Sequence, residues 1–175
     1  MGSAPSVTAV AEKDSDLDRL EIEVEEGVLE IRRGSWVSSL FSMGKSHGSV
    51  TVNVVANELQ AVSSSSGANA DLTDITCSDL RLDASSGSRV EVSGRCDTVV
   101  IDASSGANVD SSDLLTTDAD VDASSGASIR VFARDSFSGD ASSGSSILVY
   151  GNPEVAESET SSGASIDLRS HAQTI

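Results

Sequence analysis

The sequence predicts an all-β protein, a parallel β-helix built from stacked coils of about nineteen residues. Three observations lead to this prediction. A Ser-Ser-Gly motif returns at a nearly fixed period, apolar and polar residues alternate on both sides of it, and no segment shows the apolar spacing of a helix.

The repeat is defined by its glycines, which are separated by 20, 19, 20, 18 and 19 residues. Before the motif, Leu80, Leu82 and Ala84 alternate with polar residues, and Val90 follows Gly87 by three positions. Period-two alternation indicates strands with one buried face. Because so short a unit cannot enclose a core, it must stack on its neighbours. We expect the motif glycines at the bend of each coil, where a positive φ is favoured: Gly67, Gly87, Gly106, Gly126, Gly144 and Gly163.

The chain is expected to form one domain overall, in four stretches. Residues 1–6 are interpreted as an expression remnant with a disordered start, and residues 7–56 as N-terminal β-strands with a capping loop. The β-helix repeats occupy residues 57–169, and residues 170–175 form a frayed C-terminus. Within the N-terminal stretch, the alternation from Leu20 to Ile31 around Glu26-Gly27 predicts a hairpin.

The segment from Gly34 to Ser49 carries scattered large side chains, namely Trp36, Leu40, Phe41 and Met43. They could cover the open end of the solenoid, or they could form an exposed docking patch for a partner or a membrane surface.

Charge and hydropathy exclude two classes of protein. The net charge is −17, from 28 acidic and 11 basic residues, and Lys13 and Lys45 are the only lysines. Nucleic acid is therefore not an expected partner, since phosphate binding needs clustered Lys or Arg. No run of 18 apolar residues is present, so a membrane-spanning segment is not expected either. A hydrophobic signal peptide is absent after Met1-Gly2-Ser3, a start typical of a tag remnant.

Alignment of the glycines places five acids in one outward column, four residues before each glycine. This acidic column consists of Asp83, Asp102, Asp122, Asp140 and Glu159. Stacked carboxylates about 4.8 Å apart repel one another. Three interpretations stay open: a solvated acidic face, a weak calcium or other divalent site at Asp83, Asp102, Asp122 and Asp140 with nearby serine oxygens, or a surface for a cationic partner.

The two serines of each motif form columns as well. The first serines, which we call the serine column, should point outward beside the acids: Ser85, Ser104, Ser124, Ser142 and Ser161. The second serines, such as Ser86 and Ser105, are expected at the inner bend. Stacked hydroxyls can bond along the solenoid, and an outer array could instead recognise carbohydrate.

Cys77 and Cys96 each lie ten residues before a motif glycine, so they should be stacked neighbours. That placement allows a disulfide and is equally compatible with free buried thiols. A metal site is not favoured, because neither histidine lies near them in sequence.

Enzyme chemistry has little support in the residues. His47 and His171 are the only histidines, so a Ser-His-Asp arrangement would need distant, mobile pieces. β-Helix glycosidases and lyases use carboxylates, yet catalytic pairs need unequal environments, whereas this column is uniform. No cofactor is expected apart from calcium.

The runs "LDASSGS", "IDASSGA" and "VDASSGA", with "GVLEIRR" before them and "VYGNPEVAESETSSGASI" after them, resemble the head GIN domain of auto-transporter adhesins over roughly residues 7 to 168. The resemblance implies a right-handed parallel β-helix in an exported bacterial protein, at the cell surface or in the periplasm. We therefore predict a non-catalytic interaction module whose partner is a carbohydrate or an envelope protein. The alternatives are a polysaccharide-processing enzyme and a module that forms homo-oligomers through the solenoid ends.

Overall fold

The computed structural model describes residues 4–12, 17–18, 20–33 and 49–169. Contacts divide the chain into two compact units, 1–57 and 58–175. The described residues include no helix long and apolar enough to cross a membrane. The expectation of one overall domain stays a prediction.

The first unit contains two antiparallel strand pairs. Strand β1 (Ser6–Ala11) pairs with β4 (Val50–Val55). Strands β2 (Leu20–Glu25) and β3 (Val28–Arg33) form the predicted hairpin, with positive φ values at Glu26 and Gly27. The segment carrying Trp36, Leu40, Phe41 and Met43 lies outside the described residues, as do Lys13 and Lys45, so both interpretations of it stay predictions.

The second unit is the predicted stack of coils. Its strands are β5 (Ala61–Ser64), β6 (Asn69–Ala84), β7 (Arg89–Ala103), β8 (Asn108–Ala123), β9 (Ser128–Phe132), β10 (Ser136–Ala141), β11 (Ser146–Tyr150), β12 (Val155–Thr160) and β13 (Ser165–Arg169). Every pairing among them is parallel, in the order β5-β6-β7-β8-β9-β11-β13, with β10 between β8 and β12. The all-β solenoid prediction is confirmed.

The Ser-Ser-Gly motif forms a tight turn that recurs in every coil. Ser86 and Gly87 have φ values of 52° and 71°, and the Ser88 N–H donates to the Ser85 carbonyl at 3.1 Å. Positive φ at both central residues is the requirement of a type I′ turn, which glycine meets without steric cost. All six motif glycines have a positive φ, between 71° and 77°.

Successive turns are joined by a hydrogen bond of their own. The Gly87 N–H donates to the carbonyl of Ser105 in the next coil at 3.1 Å, and Gly106 bonds to Ser125 in the same way. The register of the adjoining strands agrees, since Ala84 pairs with Ala103. Equivalent residues of successive repeats thus lie next to each other in adjacent coils, as the period predicted.

The core lies between the faces of the coils and consists of the alternating apolar residues. Leu82, Ile101 and Val121 occupy one inward column and are at most 1% exposed. The next coil places Gly139 in that column, and the ring of Phe137 fills the adjacent space. Each coil contacts only the coils next to it, so its apolar residues are buried by stacking. Burial of these columns is therefore the main source of stability of a solenoid.

The second serines are a correction to the sequence interpretation. Ser86, Ser105 and Ser125 are exposed, whereas the residue after each glycine points inward. Ser88 and Ser145 hold that inward position and are 1% and 2% exposed. The reason is the turn geometry, because two successive left-handed residues project the loop tip away from the core.

Candidate binding groove

The acids of the acidic column are paired in register from coil to coil. Asp83 pairs with Asp102, Asp102 with Asp122, Asp122 with Asp140, and Asp140 with Glu159. In the first coil the same position is held by Ser63. Each acid is the residue before the last in its strand, in β6, β7, β8, β10 and β12. The last residue of the first four strands is a buried alanine. Because side chains alternate along a strand, the acid before it points outward.

A groove of about 520 Å³ runs between the acidic column and the serine column. The first serines Ser85, Ser104, Ser124 and Ser142 are half-buried along one side, and Ser161 is exposed. The acids form the other side, and the buried alanines of the same strands form the floor. We call this surface the acidic groove. It offers a carboxylate and a hydroxyl at each step of the stack, about 4.8 Å apart.

Arg81 partly neutralises one end of the acidic column. Its guanidinium donates to Asp83 at 3.1 Å from Nη2 and also forms an ion pair with Asp102 in the next coil. The hydrogen bond to Asp83 and the two negative charges raise the pKa of Arg81. Sequence reasoning missed this contact, although Arg81 and Asp83 lie two residues apart and therefore share a face.

The central part of the column has the opposite environment. The pKa of Asp122 is raised, first because its carboxyl is partly desolvated. The second cause is the negative charge of the nearby Asp102, Asp140 and Asp120. None of the ion pairs among the described residues includes Asp122, Asp140 or Glu159. The negative potential is thus concentrated in the later coils of the groove.

Calcium binding stays a prediction. Within the described residues, no group of three or more His, Cys, Asp and Glu side chains lies close enough to hold one ion. Calcium prefers six to eight oxygen ligands, so protein carboxylates spaced along a column would need ligands from another molecule.

Buried hydroxyls occur elsewhere in the coils and are all bonded to the backbone. Ser88 Oγ donates to the Ser64 carbonyl at 2.9 Å, and Ser145 Oγ donates to the Ala123 carbonyl at 2.9 Å. Ser111 bonds to the Arg130 carbonyl at 2.9 Å. These hydroxyls satisfy buried carbonyls and therefore have a structural role. For Ser88 and Ser145 the sequence signal is their position directly after a motif glycine. Ser111 instead lies at a buried position within β8.

Cys77 and Cys96 form a disulfide between stacked coils, with a Cα–Cα distance of 4.6 Å. Of the two alternatives that the spacing left open, the structure has the bridge. Cys96 is 2% exposed and belongs to the core. The bond joins β6 to β7, whose register pairs the two cysteines.

His47 and His171 lie outside the described residues, so no catalytic arrangement that involves them can be described.

Regular coils and a repeated polar groove define this second unit as a repeat protein of the β-solenoid class. The chain belongs to the family described as "putative auto-transporter adhesin, head GIN domain", whose model matches residues 1–153. The match ends before β12 and β13, which nevertheless continue the same register. No curated protein sequence matches the chain significantly.

A solved structure has a similar fold. It is a crystal structure of a protein described as a putative adhesin from Bacteroides fragilis, with a TM-score of 0.69 and 11% sequence identity. The alignment covers 89% of this chain and 79% of that chain. At this level of identity the similarity shows the fold.

Proposed function

We propose that this chain is a non-catalytic binding module of the bacterial cell surface or periplasm that engages a carbohydrate polymer through the acidic groove. Membership of an adhesin family supports an interaction role. The observation that carries the proposal is the groove itself, in which equivalent acids and serines from successive coils line one continuous surface.

The chemistry of the groove favours a repeating ligand. Serine hydroxyls donate and accept hydrogen bonds, and carboxylates accept them, so each coil offers the same pair of groups to a sugar hydroxyl or amine. A polymer would contact several coils at once, and linked weak contacts increase affinity strongly. The net charge favours glycans with amino groups over acidic glycans.

Calcium is part of this proposal only as a bridging ion. An ion between Asp122 or Asp140 and sugar hydroxyls would complete its coordination from the ligand. The pKa of Asp122 is raised first by desolvation and then by repulsion from Asp102 and Asp140, and a bound ion would relieve that repulsion.

A glycan array with and without calcium tests the proposal. We expect binding to a repeating glycan to be weakened by the double substitution Asp122→Asn and Asp140→Asn, and by Ser124→Ala with Ser142→Ala. The matched control is Asp113→Asn, because Asp113 is an exposed acid outside the groove. If the groove variants bind as the native chain does, the groove is not the site.

A further inference from the structure

Strand β13 is the last strand of the stack among the described residues, and it carries exposed apolar residues. Among the described residues β13 pairs only with β11 and stands last in the sheet order. Ile166 and Leu168 continue the inward columns of Ile147 and Val149, yet Leu168 is 49% exposed. An edge of this kind is ready to pair with another strand.

The other strand of the last coil differs. Strand β12 places Ala156, Ser158 and Thr160 at the inward positions and Glu157 and Glu159 outward. Polar inward residues and outward acids discourage strand addition. Of the two strands of the last coil, only β13 therefore combines an open edge with an apolar inner side.

The direction of the backbone groups identifies which residues a new strand would meet. The Ser165 N–H donates to the Ser145 carbonyl at 3.1 Å, so Ser165, Asp167 and Arg169 direct their backbone groups toward β11. In a parallel ladder the intervening residues point the opposite way. Ile166 and Leu168 hence present their N–H and C=O groups at the open edge.

We propose that β13 pairs antiparallel with β13 of a second copy of this chain, about a two-fold axis at Leu168. In that register the two Leu168 residues form a hydrogen-bonded pair. Asp167 lies opposite Arg169 of the second copy, and the symmetry forms this ion pair twice. These are non-hydrogen-bonded positions, where facing side chains are closest.

Charge selects this register over its neighbour. An axis at Asp167 would place the two Asp167 carboxylates directly opposite each other, which is destabilising. The axis at Leu168 replaces that repulsion with attraction. No ion pair joins Asp167 or Arg169 to another described residue, so both side chains are available.

The association is expected to be weak and to depend on salt. Strand β13 has five residues, so the pairing buries far less than the roughly 1,200 Å² of a stable interface. The net charge of −17 on each copy opposes approach. Moderate salt screens that long-range repulsion more than the close ion pairs, and dimer formation should therefore increase from low to moderate ionic strength.

Sedimentation equilibrium at protein concentrations up to about 1 mM, where weak interfaces become populated, tests the pairing. We expect a monomer–dimer equilibrium for the native chain. Asp167→Arg alone and Arg169→Asp alone should each weaken it about tenfold or more, because each places like charges opposite each other twice. The double exchange of the two residues should restore it, since the opposite charges face again.

Hydrogen exchange supplies an independent reading. The amide of Leu168 should gain protection as concentration rises, while the amide of Asp167 should not change. Absence of a dimer, a dimer that the single exchanges leave unaltered, or a double exchange no better than the weaker single one would each overturn the proposal.

Discussion

The ring of Phe137 occupies the space that a side chain at Gly139 would need. A Cβ atom built on Gly139 would collide with the Cζ atom of that ring. Both residues point inward from β10, and Phe137 is 1% exposed. In the preceding coil the position paired with Gly139 is held by Val121. The ring of Phe137, two residues before Gly139, therefore fills the space that a branched side chain fills in that coil.

Gly139→Ala should therefore lower the free energy of unfolding by about 1–3 kcal/mol, the usual cost of overpacking a core. Urea unfolding followed by circular dichroism measures it. Adding Phe137→Leu should recover part of the loss, because the smaller side chain vacates the space. Two effects that simply add would show that the residues do not share it.

Gly106→Val should cost stability although no packing contact is lost. A Cβ atom at Gly106 meets nothing within 4 Å, yet the residue has a φ of 72°. The strain of a branched residue there is about 1–2 kcal/mol, which would appear as a lower denaturant midpoint. Gly106→Asn is the matched control, since asparagine tolerates this conformation. Equal midpoints for Val and glycine would contradict the role of the turn.

Gly94→Ala should be more harmful than a change at a motif glycine. Its φ is 136°, and a Cβ atom there would collide with the backbone carbonyl of Ile75 in the preceding coil. Backbone cannot move aside without breaking the pairing of β6 and β7. We expect a larger loss of thermal stability than for Gly106→Ala in the same scan, and the reverse order would show that the coils separate easily.

Replacing both Cys77 and Cys96 by alanine should lower stability by about 3 kcal/mol, because the disulfide restricts the unfolded chain across nineteen residues. The comparison with the oxidised native chain is made by urea unfolding. Thiol labelling of the native chain, unfolded without reductant, should modify neither cysteine. Labelling of both would mean that the bridge does not form.

The pH dependence of stability should differ between two aspartates. Because the pKa of Asp122 is raised in the folded state, its ionised form costs folding free energy at neutral pH. That cost falls as the pH drops through the raised pKa and is absent below the ordinary value. Asp122→Asn should thus stabilise the protein at pH 7 and have little effect near pH 3, as measured by urea midpoints.

Asp135 supplies the opposite case. Its hydrogen bond with Arg134 lowers the pKa of the carboxyl, so its stabilising contribution is present at neutral pH and is lost as the pH falls through the lowered pKa. Asp135→Asn should be slightly destabilising at pH 7. The same sign for both variants at pH 7 would argue against this assignment.

Much of the solenoid could be predicted from local sequence. The backbone irregularities that lie between successive Ser-Ser-Gly turns could not. The Ser-Ser-Gly turn repeats in every coil because one backbone geometry requires the same residues. On the far side, the chain uses Asp74 with a φ of 58° in one coil, Gly94 in the next and Gly151 with Asn152 later. Register shifts occur there between Leu72 and Ile75. These positions share no sequence motif, so the periodicity of the sequence could not reveal them.

The sequence by itself determined the period, the strand alternation, the turn and the columns of acids and first serines. The reason is that stacking at a fixed repeat length places equivalent residues of successive coils next to each other. Tertiary structure alone decided which hydroxyls are buried, how Arg81 joins Asp83 to Asp102, and where Phe137 finds room. These contacts depend on the direction and reach of side chains between coils. A repeat pattern specifies which residues meet, and the packing of particular side chains specifies how they meet.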